Sequence, residues 1–166
     1  MVIRPAGPTD FAAIYEIINE AAEAYRGVIA PDCWHEPYMS QAALRQEIDD
    51  GVTFWGVADG RSLVSVMGLQ HVREVALIRH AYTRPTHQRR GCGSALLAHF
   101  CGEVDRPILV GTWRAAGWAI SFYERHGFAL VTEDEKNRLL RSYWSVSARQ
   151  IEESVVLADH RWFATH

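Results

Sequence analysis

Apolar positions recur along this chain in two periods, and each change of period marks the edge of an element. Ile14, Ile17, Ile18, Ala21 and Ala22 keep the 3, 4, 7, 8 spacing of one helical face. Thr9 stands where an N-cap is wanted, with Asp10 in the first turn, and Gly27 stops the helix just past Tyr25. Val2-Ile3-Arg4 ahead of it predicts a short opening strand. Ser40 predicts the cap of a second helix running to about Asp49, with Leu44 and Ile48 on its inner face. Between the two helices, Val28 to Ser40 has no period. Pro31 and Pro37 break it while Trp34 and Tyr38 want burial, so a structured loop is expected.

The following stretch alternates with the period of strands. Thr53 to Ala58 and Ser62 to Gln70 flank Asp59-Gly60, a hairpin signal, and Val75 to Thr83 adds a third strand. Arg84 to Gly93 is a polar, glycine-bearing loop. Ser94 to Glu103 then predicts a helix with Leu96, Leu97 and Phe100 inward. Ile108 to Thr112 is a strand too apolar for an edge. Ala115 to His126 predicts a helix, with Arg125 and His126 suiting its C-terminal dipole and Gly127 as its stop. Ala129 to Thr132, a helix over Glu135 to Tyr143 and a closing strand over Val155 to Ala158 complete the chain. Strands and a hairpin followed by β-α-β-α-β imply a mixed α/β sheet with helices on both faces.

Composition narrows the class. A chain of 166 residues with 48% hydrophobic and 22% charged residues suits one globular domain over residues 1–166. The net charge of −3 and the lack of a broad basic face argue against a nucleic-acid partner. Cys33, Cys92 and Cys101 form neither a disulfide framework nor a zinc pattern, so no metal is expected. The opening MVIRPAGPTD is not a signal peptide, and no run is long enough to span a membrane, so the expected location is the cytoplasm.

Candidate chemistry concentrates in Gln88-Arg89-Arg90-Gly91-Cys92-Gly93, between a predicted strand and a predicted helix. The first N–H groups of a helix lack internal partners, its dipole adds positive charge there, and glycines let a diphosphate approach the backbone. A Walker loop would need Gly-Lys-Ser/Thr. A dinucleotide fingerprint would need a glycine where Leu96 stands. An ordinary glycine loop capping a helix is the bland alternative. The pattern Gln/Arg-x-x-Gly-x-Gly/Ala fits at every defined position.

That pattern, together with Ala119-Ile-Ser-Phe-Tyr-Glu-Arg-His-Gly-Phe128, the opening IRPAGPTD and the block FWGVADGRSLVSVMGL, resembles the GNAT superfamily of acetyl-CoA-dependent N-acetyltransferases over about Val2 to Phe128. The resemblance implies a mostly antiparallel mixed sheet of six to seven strands, splayed between the fourth and fifth, with the pantetheine arm of acetyl-CoA in the gap. Backbone groups of Ala81, Tyr82 and Thr83 would hold that arm, and Gln88, Arg89, Arg90, Gly91, Cys92, Gly93 and Ser94 the pyrophosphate. Tyr123 would protonate the departing thiolate. The chain departs from the family pattern at Ala116, where many relatives carry Asn, and at Leu77, where some carry a glutamate base.

The acceptor half is open. An alkyl ammonium with a pKa of about 10.4 leaves roughly one neutral amine in a thousand near pH 7, so a base is wanted. His80 has the best intrinsic pKa for that task; Glu74, His35 and Glu36 are the other candidates. Trp34, His35, Tyr38 and Trp113 are expected to shape the acceptor pocket. The partner expected is a primary amine, of a small molecule first and of a peptide N-terminus second, with a homodimer left open. A non-catalytic acyl-CoA-binding module is the rival reading.

Overall fold

The structure, a computed structural model, describes residues 1–166. Seven strands form one sheet: β1 (Val2–Ala6), β2 (Thr53–Asp59), β3 (Ser62–Val72), β4 (Val75–Thr83), β5 (Ile108–Trp113), β6 (Ala129–Leu130) and β7 (Ser154–Ala158). They lie in the order β1-β2-β3-β4-β5-β7-β6. Only β4 and β5 pair in parallel. The expected mixed, mostly antiparallel sheet with helices on both faces is present.

Strand alternation divides the apolar residues between the faces. Ala76 and Ile78 of β4 join Ile108, Val110 and Leu157 beneath α3 (Cys92–Glu103) and α4 (Gly117–Arg125). Phe54, Leu63 and Val66 meet α1 (Phe11–Ala22) and α2 (Gln41–Asp49). Val75, Leu77 and Leu109 pack with α5 (Glu133–Tyr143), α6 (Ala148–Glu152) and α7 (His160–Thr165). Leu77, the position lacking a glutamate, is a fully buried core residue.

Several boundaries differ from expectation. Thr9 is not the cap of α1. Pro8–Asp10 forms a 3-10 turn, and the Asp10 carboxylate instead accepts from Gly7 N–H at 2.8 Å and pairs with Arg4 at 2.9 Å. α1 ends at Ala22 and tightens into another 3-10 turn over Glu23–Tyr25. α3 begins at Cys92 rather than Ser94, and α4 at Gly117 rather than Ala115. α5 opens at Glu133 because Thr132 caps it, accepting from Glu135 N–H. α6 and α7, too short for a periodic signal, were not expected. Ser147 and Asp159 cap them.

Two features of the sheet prepare the site. β4 pairs with β5 only from Ala76 to Ile78, although β4 continues to Thr83 and β5 to Trp113. Beyond that point β5 stays with β7, and the β5-facing edge of β4 runs unpaired. On its other side, β4 bulges. Val66 faces Tyr82 and Gly68 faces Arg79, so the single residue Met67 opposes both His80 and Ala81. His80 takes up the extra length at φ 55°, a left-handed conformation costly for a side chain with a Cβ.

Candidate active site

The bulge re-aims consecutive side chains of β4 into two cavities. Ala81, Tyr82 and Thr83 line a cavity of about 560 Å³. Arg79 and His80 line another of about 790 Å³. The two share no lining residue.

The first cavity collects the donor-side candidates. Gln88, Arg89, Gly91, Cys92, Gly93 and Ser94 form one end of it, and Tyr123 lines it too. Arg90 was expected there, but its side chain lies exposed outside the lining because the loop turns at Arg89 (φ 64°) and Gly91 (φ 81°). The N-terminus of α3 is bare. Ala95 N–H is the first to find a helical partner, Gly91 O, and no side chain caps the Cys92, Gly93 and Ser94 N–H groups. α2, α5, α6 and α7 begin with a side-chain cap, whereas α1 and α4, like α3, do not. Uncapped donors at the positive end of a helix, facing a cavity, suit a phosphate. Arg125 also lines this cavity and adds a cation that sequence reasoning assigned only to the helix dipole. Cys92 is a buried filler whose thiol burial pushes up, away from reactivity.

Tyr123 is almost fully buried among Phe122 and Phe128, with ring centroids at 5.1 and 5.8 Å. Burial pushes its phenol well above the ordinary value, with a smaller push from Tyr25. No protein group bonds its hydroxyl, which opens on the cavity. At neutral pH the phenol keeps its proton. Phe122, from the same motif as Tyr123, and Trp118, which carried no signal in the sequence, complete this wall.

Tyr38, His35, Trp113 and His80 line the second cavity. Trp34 does not. It packs beside that cluster under the Arg26 guanidinium, 4.6 Å from its ring. Two of the proposed bases stand outside both cavities: Glu36 is paired with Arg26, and Glu74 with the Tyr143 hydroxyl. The segment after α5, including Ser145 and Arg149, closes the far side. Aromatic rings from both cavities meet where the two adjoin. Tyr25, on the first, lies 5.4 Å from Tyr38, on the second, and Trp113 Nε1–H donates to the Tyr38 hydroxyl at 2.7 Å. Ala116, the position lacking the usual Asn, is wholly buried in the cluster that holds Tyr25 and Trp113.

A family model described as "Acetyltransferase (GNAT) domain" matches residues 18–141. The chain belongs to the GNAT acetyltransferase family. No curated protein matches this GNAT chain in sequence. Solved structures share its fold. PaiA N-acetyltransferase from Thermoplasma acidophilum, in complex with coenzyme A, superposes with a TM-score of 0.70 at 17% identity, covering 95% of this chain and 97% of that one. The ribosomal-protein-S18-alanine N-acetyltransferase of Escherichia coli gives 0.66 at 18%, covering 95% and 92%. N-acetylglutamate synthase from Neisseria gonorrhoeae, complexed with coenzyme A and N-acetyl-glutamate, gives 0.64 at 21%, covering 95% of this chain and 34% of that one.

Proposed function

We propose that residues 1–166 form one N-acetyltransferase domain that passes an acetyl group from acetyl-CoA directly to a primary amine, with a small-molecule acceptor favoured. One observation carries the reading: the uncapped N–H groups of α3, the unpaired edge of β4 and the unbonded hydroxyl of Tyr123 face the same cavity. The bare helix end would hold the pyrophosphate, with Arg89 and Arg125 adding charge. Ala81, Tyr82 and Thr83 would hold the pantetheine arm through their backbone.

Bound acetyl-CoA would supply a thioester carbonyl. A backbone N–H on the open edge of β4 would stabilise negative charge on its oxygen. His80 takes one proton from the incoming ammonium and passes it to solvent. The neutral nitrogen then attacks, the C–N bond forms and the C–S bond breaks. Tyr123 gives its proton to the departing sulfur, and the proton lost on forming the amide balances it. Of the four bases considered, only His80 and His35 line the second cavity, and only His80 sits next to the strand residues that would hold the arm.

The reading is tested by thermal shift with acetyl-CoA, CoA, NAD and ATP. A ligand at a hundred times its dissociation constant stabilises by about 2.7 kcal/mol. The expected result is a shift with the two CoA species alone. No shift with either would remove the donor site, and the enzyme with it.

A further inference from the structure

α2 was read as a packing helix, yet its inner face carries a charge. Leu44 is fully buried, and Glu47 follows one turn later on the same side, before Ile48. The Glu47 side chain is only 18% exposed and meets β4 at the bulge. One carboxylate oxygen binds the Arg79 guanidinium, which also donates to Gln70 at 3.0 Å. The other stands 2.8 Å from His80 Nε2. The imidazole is further held near Phe54 and Tyr82, with ring centroids at 6.3 and 6.4 Å.

Burial alone would raise the Glu47 carboxyl, but His80 and then Arg79 outweigh it and hold it below the usual carboxylate range. An ionised carboxylate can only accept, so the 2.8 Å contact requires the proton on His80 Nε2. In the neutral imidazole Nδ1 then carries the lone pair. It has no protein partner and is not sealed from solvent, on a side chain that lines the acceptor cavity. The left-handed backbone at His80 adds weight, since strain of this kind persists only where the surroundings enforce it.

We infer that Glu47 is the positioning residue of His80: its carboxylate fixes the imidazole in the Nε2–H form and leaves Nδ1 to take the proton of the acceptor amine. The inference rests on the acetyl-transfer reading above. Glu47 touches neither substrate. It acts by holding the ring and by balancing the imidazolium that forms when Nδ1 is protonated. The other ionisable groups around the cavity do not duplicate it: Arg149 pairs with Asp32, and none of Asp50, His35 and Tyr143 bonds the His80 ring.

The test uses thiol release from acetyl-CoA with two nucleophiles at pH 7. Glycinamide is mostly protonated there and needs a base; hydroxylamine is already neutral. Glu47→Gln keeps size and a hydrogen-bonding oxygen but removes the charge. It is expected to lower kcat with glycinamide tenfold or more, leaving the acetyl-CoA KM and the hydroxylamine rate within twofold of native. His80→Gln is expected to give the same selective loss. Long-range proton–nitrogen NMR, with His80→Gln for assignment, reads the tautomer without any acceptor. The expected result is Nε2–H in the native chain and a mixture in Glu47→Ala.

An equal loss with both nucleophiles would make Glu47 merely structural and overturn the proposal. So would a native His80 in the Nδ1–H form. Native rates in Glu47→Gln beside a slow His80→Gln would overturn the role of Glu47 alone. Native rates in His80→Gln would instead remove the base from the underlying reading.

Discussion

Tyr123 shows what a single residue owes to its surroundings. A free phenol begins to ionise near pH 10, but burial among Phe122 and Phe128 pushes this one higher. Its proton is present below that raised value and lost only above it. Tyr123→Phe is expected to lower kcat about 10²- to 10⁴-fold with the acetyl-CoA KM little changed, as for loss of a general acid. The native pH–rate profile should show no fall from this group below about pH 10. A variant with native kcat would make Tyr123 a packing residue. The sequence marked Tyr123 and the glycine loop because both lie in contiguous motifs. Glu47 was invisible because its partner is 33 positions away and no spacing rule links them. Arg125 was legible as a charge but not as a wall of the cavity, since only the packing of α4 beside the loop brings this exposed residue to its rim.

At the scale of elements, helices and strands were legible where the period was long. The misses fall where local chemistry outranks period. Asp10 displaced Thr9 by bonding Arg4, and Gly91 let α3 start at Cys92 with no side chain to mark the cap. The bulge in β4 left no periodic trace, yet it sends neighbouring side chains to different cavities. Gly68 makes it fit. A Cβ there would stand 2.8 Å from Arg79 O and 2.9 Å from Val52 Cγ1. Gly68→Ala is therefore expected to cost about 1–3 kcal/mol, lowering Tm by roughly 3–10 °C. It should also slow amine transfer by displacing the backbone just before His80. Calorimetry and thiol release check the two effects, and an unchanged Tm would show that the bulge has slack.

Across the whole molecule, the open sheet provides one cavity under α3 and α4 and a second walled by α2 and the α5–α6 segment, with the Tyr25 and Tyr38 rings meeting where they adjoin. No helix is long and apolar enough to cross a membrane. The motifs made the donor side legible. The second cavity was only partly so, because its wall is assembled from segments as distant as Asp32, Glu47, Trp113 and Arg149. On the proposed reading the reactants dock in separate cavities, so neither has to be aboard before its companion. Initial-velocity lines for acetyl-CoA and amine should intersect rather than run parallel, and CoA should compete with acetyl-CoA but not with the amine. Parallel lines would mean the acyl group is parked on the protein between two half-reactions. On the proposed reading, two adjoining berths make this fold a meeting place with no fixed order of arrival.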